Sequence, residues 1–580
     1  MKKTMLVFIL LFSSIILFSC DISTTKSTTS TSVTTDSTSE STLFMTLNPE
    51  DENLETITTD ETVIFSVTNT SSLNDQVLID GGVVTINHAG TYLFEGSSSD
   101  AMIIVDVSSN EQVTLVLNGV DLTSQSGAVI NVINADKVII TLGDGTVNQL
   151  TDSSSSSEHS AVVQSNDDLT INGYGTLIIN ALLNNGISVD DDLVIVSGEI
   201  QVNALNNAIK VHNDCMIYDG ILTLTSGNDG IQVENLDDST LGNIVIQDGV
   251  FQILAYGDGF DANNVIAIYG GTYSISSGVN NSNITLVSGK GVKATNGINI
   301  MGGTFVVISK DDGFHANSDF YIQGGSLTIT TNDDGIHADN TLTISGGEIN
   351  ILKSYEGIES YSVIINNGTI HIISSDDGIN CAGGADTSSN FPWGKPNQDN
   401  SRTATLEING GYININADGD GLDANGSIIM NGGTVLVSGP TSSNDGAIDY
   451  NVSFAVNGGT LIAVGSAGMA QNASTSPTQA SVLIGLSSST TSSLTLIDSD
   501  GNVICHFEPT KTYQTIVISL PNLSLKTNYK LYLGGSITNL DGITDGFCVG
   551  GNYTNGTLSQ SFTLSQNISS VGTSSTMPRH

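Results

Sequence analysis

A glycine followed by an apolar residue recurs along the chain just after a polar residue, and its spacing constrains the fold more than any other feature. The positions are Gly186-Ile187, Gly230-Ile231, Gly259-Phe260, Gly291-Val292, Gly313-Phe314, Gly335-Ile336, Gly357-Ile358, Gly378-Ile379 and Gly421-Leu422, with Ala208-Ile209 in the same pattern. Most steps are 22 residues or one short of it, and steps of 29, 32 and 43 residues hold insertions. Within the period sit two alternating runs around a Gly-containing turn, as in Asp319 to Thr330, Thr341 to Ile351 and Thr405 to Ile415. A unit of about three short strands cannot close a core alone and must stack on its neighbours. A leucine-rich repeat would need a Leu ladder and a helical half, and both are absent. Only 13% of the 580 residues are charged, half of what a helix-rich soluble chain carries. The fold class is therefore all-β, a parallel β-helix (a solenoid of about 22-residue rungs).

The pattern also divides the chain. Residues 77–468 are predicted as the β-helix, 48–76 as its N-terminal cap, 469–482 as a linker, 483–566 as a small C-terminal β domain and 567–580 as a disordered tail. At the start, Lys2 and Lys3 precede an apolar run from Leu6 to Phe18 that is too short to span a membrane comfortably, followed by Ser19-Cys20. Residues 1–19 resemble a lipoprotein signal peptide, with Cys20 as the lipidated residue. Residues 20–47 are a Ser/Thr-rich tether that cannot bury enough surface to fold. These features place the mature protein on the extracellular face of a bacterial cell membrane, attached only through its lipid. Of the other cysteines, Cys505 and Cys548 are the one pair worth testing as a disulfide; none shows zinc or redox spacing.

Net charge is −44, from 59 carboxylates against 15 Lys and Arg. Phosphate backbones are repelled by such a surface, so nucleic acid is excluded as a partner. Cations and uncharged or cation-bridged polymers fit, and the protein is expected to be a monomer. Stacking the rungs puts Asp312, Asp334, Glu356, Asp377 and Asp420 in one column before the corner glycine. His315, His337, Glu359, Asn380 and Asp423 form another, three residues on. Carboxylates about 5 Å apart repel by roughly 3 kcal/mol per pair at an effective dielectric of 20 unless something neutralises them. Calcium suits oxygen donors with tolerant geometry, and its predicted ligands are Asp311, Asp312, Asp333, Asp334, Glu356, Glu359, Asp376, Asp377, Asp258, Asp261, Asp420 and Asp423. The competing reading is that each Asp merely bonds its own turn backbone.

One rung reverses the sign, with Lys290 and Lys293 between acidic neighbours. Cross-rung ion pairing is the plainer account. The alternative is a uronate lyase in which calcium acidifies the proton beside a sugar carboxyl and a lysine removes it. For sugar stacking, the candidates are Trp393 and Phe391 in the insertion from Gly383 to Arg402, and Tyr355 on a nearby rung. Trp393 could equally anchor its own loop.

Leu115-Val-Leu-Asn-Gly-Val120, Gly143-Asp-Gly-Thr-Val-Asn148, Asp333-Asp-Gly-Ile-His-Ala338, Tyr355-Glu-Gly-Ile-Glu359 and Asp376-Asp-Gly-Ile-Asn380 are similar to motifs of a known family. Together with the C-terminal hairpin, they make the chain resemble the calcium-binding, carbohydrate-binding parallel β-helix proteins of bacterial cell surfaces over roughly residues 55–565. The resemblance implies a lectin-like role toward polysaccharide, acidic sugars included, and fold kinship with pectate lyases. The leading expectation is thus a calcium-dependent polysaccharide-binding surface lipoprotein, taking acidic or β-linked glycan. A calcium-dependent uronate lyase and a structural adhesin without glycan binding are the alternatives.

Overall fold

The computed structural model describes residues 47–53, 57–66, 70–73, 77–153, 159–279, 288–382, 403–476, 478–538 and 542–572. The signal peptide and most of the tether, Cys20, Trp393 and Phe391 lie outside them. No helix occurs among the described residues, and none is therefore long and apolar enough to cross a membrane.

Each rung contributes three strands, exemplified by Phe314–Ala316, Asp319–Ile322 and Ser326–Thr330. Every one pairs in parallel with its equivalent on the next rung, so Val292, Phe314, Ile336, Ile358, Ile379, Leu422 and Ile448 stack as one inward column. Alternation within each strand sends these side chains to the core and the intervening ones outward. Aromatic residues stack along the same axis: Phe251 on Tyr273 at 4.7 Å, and Tyr273 on Phe305 at 4.4 Å between ring centroids.

Two glycine positions make the corners possible. At Gly313 a Cβ would lie 2.6 Å from the carbonyl oxygen of Gly335 on the next rung, so the corner has room for hydrogen alone. Gly325, second of the Gly-Gly pair, has φ +91°, in the region that glycine adopts without a Cβ penalty.

The ends depart from the predicted boundaries. Glu61–Phe65 is itself a rung strand, parallel to Gly90–Ser98, and its free edge is covered by the antiparallel Ser71–Ser72. Asn48 to Asn53 runs across the side of several rungs instead of over the end. There the Asp51 carboxylate accepts from Thr170 Oγ1 and Lys137 Nζ, and Asn53 Oδ1 accepts from Gly173 N and Ser197 Oγ. The predicted linker 469–482 contains a bridge from Thr475 to Ala455 and the beginning of the strand Ser481–Thr490. The predicted tail contains the strand Ile568–Gly572, which pairs in parallel with Ser481–Thr490. Both segments are polar, but their backbones have partners on the terminal rung's sheet, which local composition does not reveal.

At the C-terminal end, Tyr513–Ser519 pairs antiparallel with both Thr460–Gly465, the last rung strand, and Ser481–Thr490. A five-stranded antiparallel sheet packs over this extension and forms a second core around Leu496, Tyr529 and Leu531. Cys505 and Cys548 are buried there as free thiols.

Candidate functional site

The acidic corner follows from strand register. Asp261, Lys293, His315, His337, Glu359, Asn380 and Asp423 are paired rung to rung in sequence, so they form one outward column. Three residues earlier runs the column of Asp229, Asp258, Lys290, Asp312, Asp334, Glu356, Asp377 and Asp420. These carboxylates do not simply bond their own turns. Asp229 Oδ1 accepts from Asp258 N at 2.8 Å, Asp258 Oδ1 from Lys290 N at 2.7 Å, Asp312 Oδ1 from Asp334 N at 3.0 Å and Asp377 Oδ1 from Asp420 N at 2.6 Å. The ladder is interrupted after Lys290, whose side chain has no acceptor, and Asp312 N turns to Asp311 Oδ1 instead. One oxygen of each laddered carboxylate is thus committed to the backbone of the next rung. The other meets a lysine in Asp258 and Asp312 and the Asn228 side chain in Asp229.

Over the rungs from Asp258 to Asp339, the protein brings its own cations. Lys293 Nζ lies 3.1 Å from Asp261 Oδ1 and 3.5 Å from Asp258 Oδ2. Lys290 Nζ lies 2.7 Å from Asp312 Oδ2 and 3.0 Å from Asp311 Oδ1. His315 Nδ1 meets the same Asp312 Oδ2 at 2.7 Å. His337, stacked on His315 at 4.5 Å, directs Nδ1 to Asp334 and Glu359 and Nε2 to Asp339, at 3.1, 2.9 and 3.0 Å. Burial alone would lower both lysine pKa values, but the neighbouring aspartates outweigh it and hold both above the ordinary range. Likewise, burial opposes the His337 cation, yet its three carboxylate partners raise its pKa well above the usual value. Burial would raise the Asp312 pKa, but His315 and Lys290 hold it below the ordinary range. Asp258, Asp261, Asp311 and Asp312, expected as metal ligands, therefore face ammonium or imidazole groups. Neither lysine has the depressed pKa that a general base at neutral pH requires.

From Glu356 onward the balance changes. One ligand oxygen each from Asp377, Asp420 and Asp423 comes within 4.8 Å of the others, and among the described residues no Lys, Arg or His forms an ion pair with Asp377 or Asp420. Burial, followed by like charge, raises the Glu356 pKa to about 9 and Asp420 to about 8. For Asp377, at about 7, burial is again the first cause, opposed by the Asp420 amide and reinforced by Asp376. Asn380, 7% exposed, donates through Nδ2 to Glu356 Oε2 at 2.9 Å, while its Oδ1 accepts no hydrogen bond. A buried acceptor without a donor, paired rung to rung with Glu359 and Asp423, is an oxygen of the kind a hard divalent cation takes. Asp376 meets the hydroxyl of Tyr355, a ring 48% exposed, and that bond is the first cause of the phenol pKa rising to about 12.

The remaining expected ligands divide between the two regions. Asp311, Asp312 and Asp333 converge within 4.8 Å, with Lys290 on two of them. Asp334 and Glu359 converge around His337. Asp229 escaped the sequence reading although Asn228-Asp-Gly230-Ile231 carries the repeat; burial and then Asp258 raise its pKa to about 7. A second acidic cluster, Asp168, Asp191 and Asp192, also went unpredicted, at the corner before Leu169 and Leu193. Its signal is the pair Asp167-Asp168 followed by the run Asp190 to Asp192, each immediately before an apolar strand.

A parallel β-helix with ladders of carboxylates along its corners defines the class of protein. The chain belongs to the carbohydrate-binding domain-containing protein family, whose model matches residues 80–335 and 319–391. It is similar to a carbohydrate-binding domain-containing protein of Acetivibrio thermocellus, with 43% identity over 227 residues, covering 38% of this chain and 76% of that relative. It is also similar to a solved structure described as the polysaccharide lyase-like protein from C. thermocellum, a gadolinium derivative. That match has 33% identity and a TM-score of 0.38, covering 41% of this chain and 96% of the other.

Proposed function

We propose that the protein binds polysaccharide at the cell surface, that calcium is required, and that Cys20 carries the lipid anchoring it to the outer face of the membrane. The observation that carries this reading is the convergence of carboxylates toward the end of the corner column: Asp377, Asp420 and Asp423, with the orphan Oδ1 of Asn380 on the rung paired to Asp423. Glu356 extends the donor set, whereas Glu359 is already engaged by His337, and Tyr355, on the Glu356 rung, offers a partly exposed ring to a sugar. Calcium bound there supplies charge neutralisation and a Lewis-acidic contact for sugar hydroxyl or carboxylate oxygens. Family membership favours glycan as the partner, and the surplus of carboxylates disfavours nucleic acid.

Uronate lyase chemistry is the weaker reading, because Lys290 and Lys293 are each held as ammonium by two aspartates. The test is affinity electrophoresis through polygalacturonate and through neutral glucan, with calcium or with chelator, on wild type and Asp420→Asn. Calcium-dependent retardation, weakened in Asp420→Asn, with no ultraviolet-absorbing unsaturated product, is expected. Equal mobility under all conditions would remove the binding assignment, and unsaturated product lost in Lys293→Ala would replace it with a lyase. For the anchor, Cys20→Ser should abolish lipid labelling and release the protein to the medium; retention on the membrane would reject it.

A further inference from the structure

On a chain of net charge −44, five consecutive rung strands carry no ionisable side chain that reaches solvent. They are Ile221–Ser226, Val250–Ala255, Thr272–Ser276, Thr304–Ile308 and Ser326–Thr330, without an Asp, Glu, Lys, Arg or His among them. Tyr273, their one titratable group, is buried. Parallel pairing holds all five in register on one sheet. The uncharged run is bounded by Glu199 on the preceding strand and by Glu348 and Lys353 on the following one. At about 4.8 Å between strands and 3.3 Å per residue, it covers roughly 20 by 13 Å.

The outward side chains mix two chemistries. Leu254, Val306 and Ile308 are 41, 46 and 53% exposed, and between them stand the exposed hydroxyls of Thr272, Ser274 and Thr304. Exposed aliphatic area of this extent on a sheet face calls for an occupant, since parallel sheets are ordinarily covered on both sides. Farther along the axis the same face is covered: Leu436, Ile462 and Val464 are buried in the C-terminal core. Three rung strands, the first of them carrying Glu348 and Lys353, separate the uncharged section from that covered part, and the uncharged section itself is left open.

We infer that this open section is a calcium-independent docking surface for an extended, uncharged polysaccharide. A sugar chain presents C–H faces between hydroxyl edges, which match aliphatic and hydroxyl rows on a flat array. It also carries no charge for the surrounding carboxylates to repel. A second copy fits less well, because it would bring its own surplus of carboxylates, and protein interface cores are rich in aromatic, Met and Arg side chains that these outward positions lack. Without aromatic stacking each rung contributes little, so retention comes from many weak contacts along one polymer.

The inference rests on the carbohydrate-binding reading, and its test separates the two. The full-length protein is sedimented with insoluble cellulose, an uncharged polymer, in chelator, and run through polygalacturonate with calcium. The variants are Val306→Glu/Ile308→Glu, which places carboxylates in the centre of the face, and Val306→Thr, which keeps it uncharged. We expect cellulose retention in chelator to fall about tenfold in the double Glu variant and to persist in Val306→Thr, with melting curves and calcium-dependent polygalacturonate binding unchanged in both. Cellulose retention that survives the double Glu change, or that requires calcium in the wild type, overturns the face while leaving the polysaccharide reading intact. Loss of all retention in the wild type overturns both. A wild-type dimer that dissociates in the double Glu variant assigns the face to self-association and overturns the inference.

Discussion

Asp420 accepts a backbone amide from Gly446 through Oδ1 and lies against Asp377 and Asp423. Its pKa of about 8, with Glu356 at about 9 and Asp377 at about 7, stands above the ordinary values of 3.8 for Asp and 4.5 for Glu. Between those limits the folded protein holds more protons on these groups than the unfolded chain does. Their contribution to stability is therefore present at low pH and falls as pH rises from about 4 toward 9. Calorimetry in chelator should show the melting temperature dropping through this window, and calcium should reverse the drop by favouring the ionised carboxylates. Asp420→Asn should flatten the metal-free pH profile, relieving up to about 3 kcal/mol of repulsion per close pair, and should weaken calcium's effect. Lys290 tests the other region. Lys290→Ala leaves Asp311 and Asp312 without their ammonium, and should cost about 3–5 kcal/mol in denaturant melts without calcium. Added calcium should restore part of that loss, more than in the wild type, because it can replace the missing charge.

The elements depend on corners more than on strand propensity. Strands of three residues such as Phe314–Ala316 persist only because both neighbours pair with them and because the chain can turn sharply on either side. Gly325→Ala forces a Cβ into positive φ and to 2.8 Å from the Gly303 carbonyl oxygen, so a loss of about 1–3 kcal/mol is expected in chemical denaturation. Gly145→Ala is the control: its φ is +66°, but nothing lies within 4 Å of the added Cβ, so only the conformational part of the cost remains. The period and the Gly-Gly turns were legible because the same corner recurs in each rung. The strand Ile568–Gly572 and the side-lying Asn48 to Asn53 were not, since each is held by partners distant in sequence.

For the whole molecule, the critical join is the last rung. Along Thr460–Gly465, Leu461 and Ala463 belong to the β-helix core, while Ile462 and Val464 belong to the C-terminal core, so one strand serves both. Truncation after Gly465 should expose that strand's edge together with Leu436, Ile462 and Val464. Size-exclusion chromatography should then show self-association, with a monomeric profile refuting the capping role.

The sequence by itself determined the repeat, the parallel β-helix, the corner glycines and the two columns of polar residues, because each is a local pattern repeated at a fixed interval. Only the tertiary structure decided which carboxylates were already neutralised. Asp312 and Asp377 occupy equivalent places in the repeat, yet Lys290 and His315 reach the first, while the second faces Asp420 and Asp423. The partners that distinguish them, Lys290 for Asp312 and Asp420 for Asp377, sit on adjacent rungs, about 5 Å apart in space and 22 or more residues apart along the chain. The difference becomes fixed only when stacking sets the register.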